Sequence, residues 1–302
     1  MRESAPRPVE YFDRYRDEIV SEDIYGEAAL RWAYETPFGR LTVAAFVRRV
    51  WFSRLYGWLM DRPAGAERIA PFIEQYQLDP AEFLDPPESF ASFNEFFYRK
   101  LAPGARPIDP EPDNIVFPAD GRHLAIPELS RVGGFFVKGQ RFELEHFLDD
   151  PALARRYRKG SLVLSRLCPV DYHRFHFPAA GTPGAARSIS GTLRSVSPLA
   201  LRRRLAILWE NKRVLTELKT ENFGTILIVE IGATNVGSTL QTYAPGEPVA
   251  KGDEKGFFRF GGSAVATLFE PGALILAPDL LEHSARHLEL YARMGDVMAV
   301  AR

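Results

Sequence analysis

From about Asn114 onward, apolar residues come in short runs of five to seven, separated by Gly, Pro and Asp. The runs Ser161–Leu167, Thr225–Ile231, Gly256–Phe260 and Ala264–Phe269 are predicted as strands. Repeated turn residues between them point to a β-rich sandwich or barrel. Two helices are expected in this half, near Glu143–Leu148 and Ala200–Asn211. The first 112 residues have a different texture. Apolar and aromatic residues are dense there, and Pro37, Pro63, Pro71, Pro80, Pro86 and Pro87 cut the segment into short helical pieces. Ser92-Phe93-Asn94-Glu95 has the form of a capping box, which predicts a helix carrying Phe96 and Phe97. Leu101–Asp109 contains Pro103, Gly104 and Pro107 and is expected as a linker or an extended crossing segment. The fold class is therefore α+β, with a helical region (1–112) packed on or beside a β-rich, sandwich- or barrel-like domain (113–302).

Composition narrows the function classes. The 302 residues are 46% hydrophobic and 25% charged, which fits a globular chain with a sizeable core. Thirty-eight basic against 39 acidic side chains leave a formal charge of −1, which argues against a nucleic-acid binder that works through bulk positive charge. One cysteine, Cys168, excludes an internal disulfide and any zinc site built on several thiolates. No metal site is expected. Met1–Glu10 is polar and lacks the apolar core of a signal peptide.

Leu41–Met60 comes nearest to a membrane span, but Arg48, Arg49 and Arg54 interrupt it. Either it is a buried helix, or it lies on a membrane surface. Phe38–Arg62 holds five arginines against one acid, and Trp51, Tyr56 and Trp58 are residues that settle at headgroup level. Arg202, Arg203 and Arg204 with Lys212 and Arg213 form a second basic cluster. It reads as a solvated helix face or as a contact to lipid phosphates.

Candidate chemistry sits in three stretches. Gly232-Ala-Thr-Asn-Val-Gly-Ser238 is not one of them, because Ser238 stands where a phosphate loop needs lysine, and it is expected as a turn between strands. Asp149, Asp150, Glu10, Asp13 and Asp17 are expected on solvated faces. Pro118-Ala-Asp120-Gly-Arg122 places an acid in a tight turn after a strand. Asp171-Tyr-His173-Arg-Phe-His176 sets two of the six histidines three residues apart. They would face opposite sides of a strand but converge on a turn. Phe260-Gly261-Gly262-Ser263 puts a serine after two glycines inside a strand-like region. Each alone has a structural explanation: an Asx turn, satisfied core histidines, a strand bend.

Together these stretches resemble the phosphatidylserine decarboxylase family. The resemblance begins near Tyr34-Glu-Thr-Pro-Phe-Gly39. It runs through Phe93-Asn-Glu-Phe-Phe-Tyr-Arg-Lys-Leu101, Pro103-Gly-Ala-Arg-Pro-Ile108, Lys138-Gly139, the His173/His176 motif and Gly232–Ser238. It ends with Lys251-Gly-Asp-Glu-Lys-Gly-Phe-Phe-Arg-Phe-Gly-Gly-Ser263, in the family's order. Three positions depart from the family's usual pattern: Ala264 for threonine, Lys212 for glutamate and Ser197 for asparagine.

The resemblance implies decarboxylation of phosphatidylserine to phosphatidylethanolamine by a pyruvoyl group made from Ser263. Decarboxylation of an amino acid leaves charge on Cα, and no coded side chain is a good electron sink. Pyridoxal phosphate lacks a convincing lysine and phosphate context here. By position in the motif, cleavage falls between Gly262 and Ser263, giving a β chain of residues 1–262 and an α chain of residues 263–302. His176 is the base, Asp120 orients it, and His173 serves the decarboxylation. The partners so implied are the lipid substrate and a membrane surface, with no nucleic acid, and a homo-oligomer stays open. The location is the cytoplasmic face of the cell membrane, as a peripheral protein, with Arg48, Arg49, Trp51, Arg54, Trp58 and Arg202–Arg204 as lipid contacts. Two alternatives stand beside this. One is a pyruvoyl-dependent decarboxylase of another serine-headed lipid or an amino acid. The other is a non-enzymatic lipid-binding or carrier-like β module, suggested by the Lys251-Gly-Asp253 turn.

Overall fold

A computed structural model describes residues 8–24, 26–43, 58–131, 142–233, 239–259, 261 and 263–302. The sequence readings at Arg48, Arg49, Trp51, Arg54, Tyr56, Lys138-Gly139, Thr234–Ser238, Phe260 and Gly262 lie outside the described residues.

The described strands are β1 (Glu10–Asp13), β2 (Glu18–Ser21), β3 (Asn114–Val116), β4 (Gly121–Ile126), β5 (Ser161–Leu167), β6 (Arg174–His176), β7 (Thr182–Pro183), β8 (Arg187–Ile189), β9 (Arg213–Lys219), β10 (Thr225–Ile231), β11 (Thr239–Gln241), β12 (Glu254–Phe258), β13 (Ser263–Phe269), β14 (Leu274–Leu276), β15 (Glu289–Ala292) and β16 (Val297–Ala301). Ten of them form one large sheet in the order β2-β1-β15-β4-β5-β13-β10-β9-β7, with β8 also on β9. Two three-stranded sheets, β11-β12-β6 and β14-β16-β3, complete the strands described. Within the large sheet β1 runs parallel to β15, and the other pairings are antiparallel.

The central strands are apolar throughout because both faces of the sheet are covered. Leu162 and Leu164, Leu227 and Val229, and Ala264 and Ala266 enter one core; Val163, Ile226, Ile228 and Val265 enter the other. The first core is closed by helices Leu144–Leu148, Pro151–Tyr157, Pro198–Arg203 and Ile207–Glu210. The second is closed by the two small sheets and helix Pro278–Ala285, through Ile115, Phe175, Phe177, Phe258, Leu280 and Met298. The α+β class is as expected, and the small sheets supply the second β layer.

Helix Phe93–Phe97 starts at the expected box: Ser92 Oγ accepts from Glu95 N at 3.2 Å, and the Glu95 carboxylate accepts from Ala91 N at 2.6 Å. Phe96 is fully buried, with Phe72, Phe83, Phe90 and Phe93 rings at 5.3–5.9 Å spacings among them.

Several expectations need correction. The N-terminal segment is not only helical, because β1 and β2 extend the large sheet beyond β15. Asp13 is buried, since its carboxylate accepts from Tyr15 N and Arg16 N in the β1–β2 turn. Asp150 caps a helix rather than facing solvent idly, accepting from Ala152 N and Leu153 N. The helix expected over Ala200–Asn211 is two helices, because Arg204 takes an extended conformation (φ −151°) between them. Arg213 is no surface cation: it is 2% exposed and donates to the carbonyls of His146, Phe147, Trp209 and Asn211. Arg202, Arg203 and Arg204 are exposed, and Arg204 pairs with Glu210.

Candidate active site

Three adjacent strands set the position of Ser263. It opens β13 and lies opposite Leu167 at the end of β5. On the other side of β5, Arg122 pairs with Arg166, which puts Gly121 opposite Leu167. Ser263 and the Asp120 turn are thus two strand spacings apart at one end of the sheet, about 10 Å between backbones. A side chain at position 121 would meet Arg166 O at 2.5 Å, so glycine is required there. Gly261 adopts φ +141°, a conformation that L side chains rarely take.

By strand alternation, the Ser263 side chain shares the face of Val265 and points toward the small-sheet layer. Its Oγ is fully buried and has no hydrogen-bond partner among the described residues. A buried hydroxyl in that state is uncommon and calls for a reason.

Asp120 is 1% exposed in the turn between β3 and β4. Its carboxylate accepts from Arg106 Nε at 2.8 and 3.1 Å and from Met294 N at 2.8 Å. His176 lies beside this turn, its backbone N donating to Pro118 O at 2.7 Å. Its Nδ1 bonds Gly252 O at 2.9 Å and its Nε2 faces Tyr172 Oη at 3.3 Å. The carbonyl requires the proton on Nδ1, so Nε2 carries the lone pair. Burial pushes the His176 pKa down, while the Gly252 carbonyl and the charges of Glu254 and Asp120 push the other way. The orienting contact expected from Asp120 to His176 is not formed, because the Gly252 carbonyl holds Nδ1 and the Asp120 hydrogen bonds go to Arg106 and Met294; the Asp120 charge reaches His176 only through its field.

His173 is fully buried just before β6, with its ring 3.8 Å from that of Phe97. Nδ1 donates to Asp171 O at 2.9 Å, and Nε2 has no partner among the described residues. Burial lowers its pKa to about 3, so the ring is neutral with a free lone pair. The Asp171 carboxylate accepts from Arg122 Nη1 at 2.5 and 2.7 Å and from Cys168 N at 2.6 Å. This buried clamp joins the aspartate turn to the histidine motif.

The structure therefore puts Ser263 and the Asp120 turn at the same end of the large sheet and His176 beside that turn, while among the described residues no hydrogen bond joins either histidine to the Ser263 hydroxyl; Gly262 lies outside the described residues. Sequence reasoning missed Arg106, Tyr172 and the Arg122–Asp171 clamp. Arg106 stood in a segment read as a linker or an extended crossing segment. The available signal was an arginine fixed between Ala105 and Pro107 in a stretch too stiff to be a flexible connection.

Comparison with known proteins identifies the family. Residues 93–297 match the phosphatidylserine decarboxylase family. The chain is 43% identical to the phosphatidylserine decarboxylase proenzyme of Fusobacterium nucleatum, covering 95% of this chain and 96% of that one. It is 43% identical to the protein of that name from Chlamydia trachomatis, covering 96% and 97%. For Desulfitobacterium hafniense the identity is 39%, over 97% and 98%. On matches of this length and identity, the chain belongs to the phosphatidylserine decarboxylase family.

Proposed function

We propose that this chain is a proenzyme that cuts itself before Ser263 and then decarboxylates phosphatidylserine to phosphatidylethanolamine. The relatives' shared name, over nearly full length, supports the reaction and the processing. The observation that carries the site assignment is the Ser263 hydroxyl, buried without a partner among the described residues at the start of a central strand.

In the first reaction, Ser263 Oγ attacks the Gly262 carbonyl carbon. The C–O bond forms, the C–N bond to residue 263 breaks, and the nitrogen takes the hydroxyl proton. His176 is the base that relays this proton, with Asp120 favouring its charged form. Removal of the proton on the residue 263 Cα then expels the Gly262 carboxylate. Water replaces the nitrogen as ammonia, leaving a pyruvoyl group at 263. When formed, that group supplies an electrophilic carbonyl that takes up the charge left on the substrate Cα as carbon dioxide departs. The Ser263 environment fits it, being buried and offering no competing hydrogen bond to the Oγ position among the described residues. His173 Nε2, which has no partner among the described residues, would take up a proton and deliver it to Cα in place of the departed carboxylate.

The lipid substrate calls for a peripheral membrane protein. No described helix is long and apolar enough to cross a membrane. Trp32, Phe38, Leu41 and Trp58 are 45–69% exposed, on the segments that flank residues 44–57. Such a patch suits contact with the headgroup region.

Denaturing mass spectrometry tests the proposal. The wild type should give a fragment of about 4.5 kDa, in proportion to 34.0 kDa for 302 residues, with a keto-bearing blocked end. Ser263→Ala should abolish both cleavage and carbon dioxide release, and His173→Ala should spare cleavage more than turnover. A wild-type chain that stays at 34 kDa after long incubation would refute it.

A further inference from the structure

A cavity of about 360 Å³ opens between the N-terminal aromatic cluster and the Asp120 turn. Arg99, Arg106, Asp120, Arg122, Asp171 and Tyr172 are among its lining residues. Most arginines on its wall have a carboxylate partner. Arg106 pairs with Asp120 and Glu82, Arg122 with Asp171, Arg16 with Asp13 and Arg293 with Glu82.

Arg99 is the exception. It is 5% exposed, and no carboxylate lies within ion-pair distance among the described residues. Its Nη atoms reach the carbonyls of Phe96 and Val170 only at 3.4 and 3.5 Å, and Nε has no partner. The guanidinium lies 4.7 Å from the ring centres of both Phe83 and Phe96. Burial lowers its pKa to about 10 against the opposing fields of Asp120, Asp171 and Glu82, none of which is in contact with it, and it stays a cation at neutral pH. Ring faces and carbonyl dipoles offset part of the cost of burying that charge, but a buried cation ordinarily has an anion.

We propose that Arg99 receives the phosphodiester of the substrate headgroup. The inference rests on the decarboxylase reading and names a subsite of that same site. Phosphatidylserine offers two anions, its carboxylate and its phosphodiester. An ion pair with the carboxylate would stabilise the ground state of the bond that must break, and so would slow the reaction. A phosphodiester keeps its charge throughout, so its pairing energy positions the substrate without opposing the chemistry. The location fits. Phe97, two residues before Arg99, stacks on His173, and the Arg99 charge acts on that ring. The planar fork of arginine also matches two phosphate oxygens.

The test compares wild type, Arg99→Lys and Arg99→Met, with rates normalised to the amount of cleaved chain. Substrates are phosphatidylserine vesicles, soluble glycerophosphoserine, and an O-alkylserine that lacks the phosphodiester. KM for both phosphodiesters should rise ten-fold or more in Arg99→Met and less in Arg99→Lys. O-alkylserine should be handled alike by all three proteins, by turnover or, if it is not turned over, by inhibition. A rise for vesicles alone would mean lipid-surface contact and would overturn the subsite. An unchanged KM for phosphatidylserine, or an equal loss on all substrates, would overturn it as well. Arg99→Lys retains a cation, so the comparison survives if Arg99→Met does not fold. Absence of cleavage in the wild type would instead count against the decarboxylase reading.

Discussion

Asp171→Asn isolates one charge in the buried clamp. The carboxylate and the Arg122 guanidinium are 3% and 8% exposed at the side chain, and both Asp171 oxygens face Arg122 Nη1 at 2.5–2.7 Å. Asparagine keeps an oxygen for Cys168 N, so the loop bond can persist while the negative charge is lost. Burial raises the Asp171 pKa and Arg122 opposes that rise. The short contacts of both oxygens fit the ionised form. Removing one partner of a buried pair costs about 3–5 kcal/mol, because the other charge stays desolvated. Replacing both, as Arg122→Met with Asp171→Leu, should recover most of the loss. The assay is urea unfolding in a Ser263→Ala background, so that every variant remains one chain. The shift in midpoint multiplied by the slope gives the cost. In the Ser263 background the single substitution should also slow self-cleavage, because the clamp fixes the loop that carries His173 and His176. A cost under about 1 kcal/mol would show that Asp171 is already neutral in the fold, and a double variant as unstable as the single would show that shape rather than charge matters. Either result refutes the reasoning.

Two further substitutions test other buried groups. Lys255 and Glu230 have fully buried side chains with Nζ–Oε1 at 2.7 Å, and Gln241 bonds both. Glu230→Gln should cost about 3–5 kcal/mol in urea unfolding and Lys255→Met/Glu230→Leu much less; equal losses would reject a charge-pair origin. His123 is fully buried between Ser165 Oγ and Ala292 O, and burial lowers its pKa to about 3 from 6.5. The unfolded chain takes up a proton below pH 6.5 and the folded one resists it until about 3, so stability falls as pH drops through that window. At about pH 4.5 the loss is roughly 3 kcal/mol. His123→Gln should flatten this part of the pH profile of the urea midpoint, and an unaltered slope would contradict the linkage.

Legibility in the sequence followed the range of the interactions. Ser161–Leu167 and Thr225–Ile231 were readable to the residue, because an apolar run bounded by turn residues suffices to mark a strand covered on both faces. The β1–β2 hairpin was not, because Glu10-Tyr-Phe-Asp13 and Glu18-Ile-Val-Ser21 carry charges at their ends and are stabilised by β15, nearly the whole chain away. Asn211, the residue that ends the second helix, bonds the backbone of Arg194 and Gly232 through its carboxamide, partners that lie far along the chain. Asp120, His173, His176 and Ser263 stand out in the sequence as motifs. Their partners do not, since Arg106, Glu82 and Met294 reach Asp120 or its neighbours from separate parts of the chain. Arg213 looked like a surface cation for the same reason: its four carbonyl partners are invisible to composition.

The topology around Ser263 also bears on how a chain can lose a peptide bond and keep its fold. β13 begins at Ser263 and is hydrogen-bonded to β5 on one side and β10 on the other. The residues after it supply β15 between β1 and β4, and β16 between β14 and β3. Residues 263–302 are thus woven into two sheets, so under the proposed cleavage the new chain end at position 263 would be held by a strand paired along both edges. Ala264, where the family more often has threonine, pairs with Arg166 and Ile231 and faces the helix-covered core. Its side chain therefore points to the opposite face from the Ser263 hydroxyl. The departure lies under the helices, on the face of β13 opposite the Ser263 hydroxyl, so under the proposed cleavage its effect would come through the position of the strand rather than through contact with Oγ.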